Sequence, residues 1–136
     1  MRENSFLKNT RKNESSVKNI LIVEDEYVSR LLLCKLLGSS FNVETAETSE
    51  ECFVKLSEKD FSLIFMDINL GSGLSGLDTI KILKKENKYK KIPIIATTAF
   101  ALPGDKEEFI EAGCTNYLSK PFNKEILFNV IEELNI

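Results

Sequence analysis

The chain has 136 residues, of which 43% are hydrophobic and 29% charged, and its formal net charge is −3. A chain of this length and composition forms one globular domain with a sizeable core. The longest nearly apolar run, IPIIATTAFAL, is far shorter than the roughly 20 residues that cross a bilayer, so we expect a soluble protein. Histidine is absent, which excludes catalytic triads and a phosphohistidine carrier in this chain.

The N-terminal segment differs from the rest of the chain in charge. Residues 1–18 hold five Lys/Arg and two Asp/Glu, whereas residues 19–136 carry a net negative charge. Charges are scattered through the segment and no apolar h-region is present, so we expect neither a secretory signal nor a membrane anchor, and a cytoplasmic location. We predict a flexible polar tail or linker over 1–18 and one domain over 19–136. An acidic domain also argues against direct nucleic-acid binding.

Short apolar runs alternate with segments of helical period along the domain. In chain order the pairs are NILIVE (19–24) and YVSRLLLCKLLG (27–38), FNVETA (41–46) and SEECFVKLSEKD (49–60), SLIFMD (62–67) and GLDTIKILKKEN (76–87), IPIIATT (92–98) and PGDKEEFIEAG (103–113), and TNYLS (115–119) and NKEILFNVIEELN (123–135). Mainly apolar strands, each followed by a helix, indicate a parallel sheet covered on both faces. The predicted fold is therefore a doubly wound α/β fold with five parallel strands and five helices.

The three cysteines form no recognisable pair. Cys34, Cys52 and Cys114 are odd in number and contain no C-x-x-C motif. We therefore expect reduced thiols that behave as small hydrophobic residues, rather than disulfides or a metal site.

Polar side chains stand where the predicted strands end. The first strand ends in Glu24 and Asp25, the third in Asp67 and the fourth in Thr98, and the fifth leads into Lys120. In open parallel sheets, ligands bind outside the carboxyl ends of the strands. We therefore expect three carboxylates, a hydroxyl and an ammonium group to converge at one edge of the sheet.

This set of groups suits phosphoryl chemistry assisted by a divalent cation. Mg²⁺, or Mn²⁺ in its place, takes oxygen ligands, usually one or two carboxylates together with phosphate and water. Glu24, Asp25 and Asp67 supply that charge. An ionised Asp67 can attack phosphorus to form an acyl phosphate, and Lys120 and Thr98 can hold the phosphoryl oxygens.

Four segments resemble the receiver domain of bacterial two-component response regulators, and the resemblance covers residues 19 to about 135. LIVEDE is similar to the family's acid pair, LIFMDINL to its phosphoacceptor strand, PIIATTAFALPGD to its switch-threonine strand, and AGCTNYLSKPF to its tyrosine and lysine-proline segment. One such motif would be weak evidence, whereas four in this order are specific.

The resemblance implies a flavodoxin-like sheet with strand order 2-1-3-4-5 and a role for each matching residue. Asp67 would be the phosphoacceptor and Lys120 the phosphate-contacting lysine. Glu24 and Asp25 would serve the metal, with the backbone carbonyl of Asn69 as a further ligand. Thr98 and Tyr117 would form a switch pair that alters the surface of the fourth helix, fifth strand and fifth helix.

The resemblance also implies partners. The phosphodonor would be a histidine kinase or a histidine phosphotransfer protein, and the domain would be a regulatory phosphoacceptor rather than an enzyme. A downstream protein, or a larger chain containing this domain, would read the signal, and phosphorylation could drive dimerisation. Because only a short segment follows Pro121, we expect no effector domain in this chain, which would be a stand-alone regulator or the receiver of a hybrid histidine kinase.

Two features near the site carry their own expectations. In the family, the phosphoacceptor is commonly followed by a loop with a proline and then by a glycine eight residues on. Here INLGSGLSG has Gly71 in the proline's place and reaches Gly76 at nine, so we expect a longer and looser loop. We also predict a cis peptide bond between Lys120 and Pro121, because the chain must turn sharply to bring the lysine over the strand ends.

Other interpretations of these residues stay open. Asp67 could cap a helix, Thr98 could be an ordinary strand residue, Tyr117 could be core, and Lys120 could stand in a solvated turn. An aspartyl-nucleophile phosphatase or phosphotransferase is an alternative, although a haloacid-dehalogenase type would have D-x-D where this chain has D-I-N. A scaffold that works without phosphorylation is another. A flavodoxin-like FMN carrier would have a glycine- and hydroxyl-rich loop after the first strand, where this chain has acids.

Overall fold

The computed structural model describes residues 17–99 and 102–136. Most of the predicted tail, residues 1–16, and Phe100 and Ala101 of the PIIATTAFALPGD motif lie outside the described residues. The strands are β1 (Asn19–Val23), β2 (Asn42–Ala46), β3 (Leu63–Asp67), β4 (Ile94–Thr98) and β5 (Asn116–Ser119). The helices are α1 (Tyr27–Leu37), α2 (Ser49–Glu58), α3 (Gly76–Lys85), α4 (Asp105–Ala112) and α5 (Lys124–Leu134).

The five strands form one parallel sheet in the order β2-β1-β3-β4-β5. β1 lies between β2 and β3. The chain passes from β1 to β2 on one side and then returns to β3 on the other side, so the chain order reverses at β1. This arrangement confirms the predicted doubly wound fold. It also brings the carboxyl ends of β1 and β3 side by side at the reversal point, where ligands bind in open α/β sheets.

Helices cover both faces of the sheet, and each face has its own core. Helices α2, α3 and α4 bury apolar side chains on one face, among them Cys52, Ile80 and Phe109. Helices α1 and α5 bury side chains on the other face, among them Leu33 and Leu127. The central strand β3 is buried along its whole length, which explains why its sequence is continuously apolar up to Asp67.

Side chains at the helix starts explain several boundaries. Thr48, Ser75 and Asn123 accept backbone N–H groups from the first turns of α2, α3 and α5. The fourth helix begins at Asp105, two residues later than the pattern predicted, because Gly104 has a left-handed backbone with φ 93° and cannot belong to a right-handed helix.

Three further predictions can be compared with the structure. The Lys120–Pro121 peptide bond is cis, as predicted. All three cysteines are free thiols, with Cys52 and Cys114 buried and Cys34 half-buried. No helix within the described part of the chain is both long enough and apolar enough to cross a bilayer.

Candidate functional site

Three carboxylates meet at the carboxyl ends of β1 and β3. Glu24 and Asp25 directly follow β1, and Asp67 is the last residue of β3. Each can contribute one oxygen to a group whose atoms all lie within 4.8 Å of one another. The convergence predicted from the strand ends is therefore present for the three carboxylates. Oxygen atoms at this spacing match the ligands that Mg²⁺ and Mn²⁺ accept.

Glu24 is the most deeply buried of the three acids, with 1% of its surface exposed. Its Oε1 accepts a hydrogen bond from Lys120 Nζ at 2.6 Å, and its Oε2 accepts one from the backbone N–H of Glu26 at 3.1 Å. Burial, together with the adjacent Asp67, raises the pKa of Glu24 to about 7, although Lys120 opposes this rise. The charged form of Glu24 is therefore disfavoured in the cluster unless a further cation lies close to it.

Asp67 has two carboxylate oxygens in different environments. Oδ1 accepts the backbone N–H of Asn69 at 3.0 Å, which fixes the orientation of the group. Oδ2 faces Lys120, whose Nζ lies 3.7 Å away. The lysine therefore reaches both acids but makes its short contact with Glu24. The sequence placed Lys120 near the site without indicating this preference.

Asp25 is held from the loop between β3 and α3. Its Oδ2 accepts the backbone N–H of Gly71 at 2.7 Å, across 46 residues of sequence. At the end of the same loop, Gly76 donates its N–H to the carbonyl of Ile68 at 3.0 Å. The sequence suggested a longer and looser loop, whereas these two bonds tie it at two positions.

Two residues near the cluster were not recognised from the sequence. Glu26, the third acid of the EDE run, accepts the N–H groups of Val28 and Ser29 and so caps α1. The residues that usually fill this capping position are Ser, Thr, Asp and Asn, so the pattern did not predict Glu26 for that role. Arg30 donates to the carbonyl of Glu24 at 3.0 Å, and nothing in its spacing predicts this contact.

Thr98 and Tyr117 lie on the same face of the sheet. Tyr117 pairs with Ala96 in the register of β4 and β5, and Thr98 stands two residues after Ala96, so its side chain leaves the sheet on that face. Thr98 is buried, whereas Tyr117 is half-buried, and the Tyr117 ring packs edge-on against Phe109 of α4 with centroids 6.0 Å apart. The two predicted switch residues therefore share a face of the sheet, and the Tyr117 ring reaches α4.

An apolar groove of about 440 Å³ opens beside the cluster. It runs between α1 and the segment after β5, and Lys120 belongs to both the groove and the acidic site. On the α1 side, Val28 is 66% exposed and Leu32 is 45% exposed. The lining residues are Val28, Ser29, Leu32, Leu33, Ala99, Lys120, Pro121 and Phe122.

Comparison with known proteins identifies the family. The model of the response regulator receiver domain matches residues 20–132, which is most of the chain. The chain belongs to the response regulator receiver domain family. The receiver domain therefore accounts for the fold.

Relatives of this receiver domain include a separate regulator and parts of kinases. The polar-differentiation response regulator DivK of Brucella ovis is 39% identical over 108 residues, which cover 78% of this chain and 86% of DivK. The osmosensing histidine protein kinase SLN1 of Saccharomyces cerevisiae is 34% identical over 134 residues, which cover 93% of this chain but 11% of SLN1.

A solved structure also shares the fold. The receiver domain of the sensor histidine kinase PA1611 from Pseudomonas aeruginosa superposes with a TM-score of 0.77 at 29% identity, covering 86% of this receiver domain and 96% of that chain. That crystal structure has a magnesium ion coordinated in its active site cleft.

Proposed function

We propose that this receiver domain is a cytoplasmic signalling switch that accepts a phosphoryl group on Asp67 from a phosphohistidine of another protein or domain. The observation that carries the proposal is the meeting of Glu24, Asp25 and Asp67 within 4.8 Å, with Lys120 Nζ 3.7 Å from Asp67 Oδ2. It is a regulatory phosphoacceptor and not an enzyme with its own substrate. Residues 19–136 form the domain, and residues 1–18 form a tail or linker.

The acidic cluster is proposed to hold Mg²⁺ or Mn²⁺. Carboxylates of Glu24, Asp25 and Asp67 and the backbone carbonyl of Asn69 supply the oxygen ligands that these hard cations prefer. When bound, the cation neutralises charge on the phosphoryl oxygens. The ligand atoms support binding of such a cation, because the cluster found among the described residues offers only carboxylate oxygens.

The residues divide the proposed transfer between them. An Asp67 oxygen attacks phosphorus, the phosphorus–nitrogen bond of the donor phosphohistidine breaks, and the imidazole leaves and takes up a proton. The Asn69 N–H holds Oδ1 of Asp67, which leaves Oδ2 directed toward Lys120. After the transfer, the Lys120 ammonium can contact an oxygen of the phosphoryl group in place of the carboxylate. The Thr98 hydroxyl donates to another phosphoryl oxygen.

The groove beside α1 is the proposed docking surface for the donor protein. A phosphohistidine must come within bonding distance of Asp67, so its carrier has to cover the surface around the site. The exposed apolar side chains Val28 and Leu32 line this groove together with Lys120, whose Nζ lies 3.7 Å from Oδ2 of Asp67. A histidine kinase or a histidine phosphotransfer protein is the proposed partner, and a hybrid kinase could carry the domain, as SLN1 and PA1611 are themselves kinases.

Phosphorylation is proposed to be read out on the surface formed by α4, β5 and α5. Thr98 moves toward the new phosphoryl oxygens, and the Tyr117 ring turns inward to fill the space behind it. Because the ring already contacts Phe109 of α4, its movement changes the surface of that helix. A downstream protein, a larger chain or a second copy of the domain would recognise the altered surface.

The readout can be tested with beryllofluoride, an acyl-phosphate mimic, in the presence of Mg²⁺. Amide chemical shifts should change at residues 98–106 and 115–122 as well as near Asp67. The Thr98→Ala variant should keep the changes near Asp67 and lose the distant ones. Changes confined to residues 67–76 in the unmodified chain would show that the switch assignment is wrong.

Acceptance of phosphate by Asp67 is tested with acetyl phosphate and Mg²⁺, followed by intact mass measurement. The wild-type chain should gain one phosphoryl group, the Asp67→Asn variant none, and chelation of the metal should prevent the gain. The Asp78→Asn variant is the matched control, because Asp78 is an exposed acid in the first turn of α3 outside the cluster. A folded wild-type chain that is never labelled and leaves the donor intact would indicate a scaffold that works without phosphorylation. Rapid turnover of the donor without accumulation of a labelled chain would indicate a phosphatase.

A further inference from the structure

Gly71 makes a backbone hydrogen bond to Asp25 that a proline at this position could not make. Its N–H donates to Oδ2 of Asp25 at 2.7 Å, which lies at the short end of the range for a bond to a charged acceptor. The family pattern commonly has proline here, and proline has no backbone N–H. The departure from the pattern and the contact with Asp25 thus occur at the same residue.

The space around Gly71 is matched to this contact. A Cβ atom at residue 71 would lie 2.9 Å from Asp25 Oδ2, closer than side-chain carbons normally approach. A residue with a side chain could keep the N–H only by moving the loop or the carboxylate. Glycine therefore permits both the approach and the hydrogen bond.

We propose that Gly71 is a positioning residue whose N–H fixes the Asp25 carboxylate for metal binding and links the loop after Asp67 to the metal. This inference rests on the proposed function, because it assumes that Asp25 is a ligand. Holding Oδ2 with the N–H fixes the orientation of the carboxylate that contributes an oxygen to the cluster with Glu24 and Asp67. Fixing a ligand in this way saves the ordering cost that metal binding would otherwise include.

The loop between Asp67 and α3 becomes part of the site in this arrangement. Asn69 donates to Asp67, Gly71 donates to Asp25, and Gly76 donates to the carbonyl of Ile68. The loop therefore contacts acids from two different strands. Metal binding at the cluster should accordingly alter residues 69–73 along with the acids themselves.

The test compares the Mg²⁺ affinities of the Gly71→Pro and Gly71→Ala variants. Both affinities are measured by amide chemical-shift titration with MgCl₂. Both variants add a Cβ near Asp25, but only proline removes the N–H, so alanine controls for crowding. We expect Gly71→Pro to bind Mg²⁺ about tenfold more weakly than Gly71→Ala, the usual scale for losing a group that orients a metal ligand. In an Asp25→Ala background the two variants should bind equally.

A second measurement does not depend on metal or on a proline variant. In the metal-free protein, Asp25→Ala should shift the Gly71 amide resonance and speed its hydrogen exchange, while Asp78→Ala leaves both unchanged. Equal Mg²⁺ affinity of Gly71→Pro and Gly71→Ala, a gap that persists in the Asp25→Ala background, or an unresponsive Gly71 amide would overturn the positioning role. Failure of the wild-type chain to bind Mg²⁺ would instead overturn the proposed function, and this inference with it.

Discussion

Replacing Gly76 with alanine should strain the junction between the acceptor strand and α3. A Cβ atom at residue 76 would clash with the carbonyl oxygen of Asp67 and would lie 2.8 Å from Cα of Ile68. Both are backbone atoms, so no side chain can rotate away to relieve the contact. Either the start of α3 or the end of β3 has to move until the separation reaches at least the 3.4 Å of an ordinary contact.

The expected cost has two parts. Forcing an extra carbon into a packed site typically costs about 1–3 kcal/mol. The displacement also weakens the bond from the Gly76 N–H to the Ile68 carbonyl, which contributes about 1 kcal/mol. We therefore expect Gly76→Ala to lower the free energy of unfolding by roughly 2–4 kcal/mol, and the melting temperature by about 10 °C.

Urea unfolding followed by circular dichroism measures this loss, and Gly73 supplies the comparison. Gly73 has open space around it but a φ of 74°, so alanine there should cost about 1 kcal/mol through its backbone conformation alone. Asparagine tolerates that conformation and should recover part of the loss at residue 73. At residue 76, asparagine should be at least as damaging as alanine, because the neighbouring backbone leaves no room for a side chain and the backbone conformation is not the obstacle.

A Gly76→Ala variant within about 0.5 kcal/mol of the wild type would refute this reasoning, since surface changes are usually of that size. It would mean that β3 and α3 do not approach as closely as described. The loop would then not be fixed at Gly76.

Two further predictions concern the interior. Thiol reagents at mildly alkaline pH should modify the half-buried Cys34 first. The reason is that burial raises the pKa of Cys52 and of Cys114 to about 12. Equal modification rates for all three thiols in the folded protein would contradict this. The hydroxyls of Ser49 and Thr79 are hydrogen-bonded at 2.9 Å inside the core. Thr79→Val should cost about 1–3 kcal/mol in urea unfolding by leaving Ser49 unpaired, and adding Ser49→Ala should recover part of it; additive losses would show that the pair is not coupled.

The fold was predictable because each element carries a local signal. Continuous apolar runs mark the buried strands, helical periodicity marks the covering helices, and polar residues at the strand ends mark the edge where ligands bind. For that reason the convergence of Glu24, Asp25 and Asp67 could be predicted before their distances were known. The two-residue error at the start of α4 arose at Gly104, whose left-handed backbone has no reliable signature in a helical pattern.

The contacts that orient the site were less predictable, because they depend on tertiary distance. The sequence gives Lys120 several acids to pair with, and only the geometry shows that Glu24 takes the short bond. The bond from Gly71 to Asp25 spans 46 residues and uses a backbone N–H, which no residue pattern encodes. Arg30 reaches the carbonyl of Glu24 for a similar reason, since backbone acceptors are present at every residue.

The central claim is that the phosphoryl group is carried by Asp67, and chemical trapping of the acyl phosphate tests it most directly. After reaction with acetyl phosphate and Mg²⁺, borohydride reduction converts a phosphorylated aspartate to homoserine, which tandem mass spectrometry of peptides can locate. We expect homoserine at residue 67 alone, and none when the donor or the metal is left out. Conversion at Asp25 or at any other carboxylate, or a phosphorylated chain with residue 67 unchanged, would contradict the account.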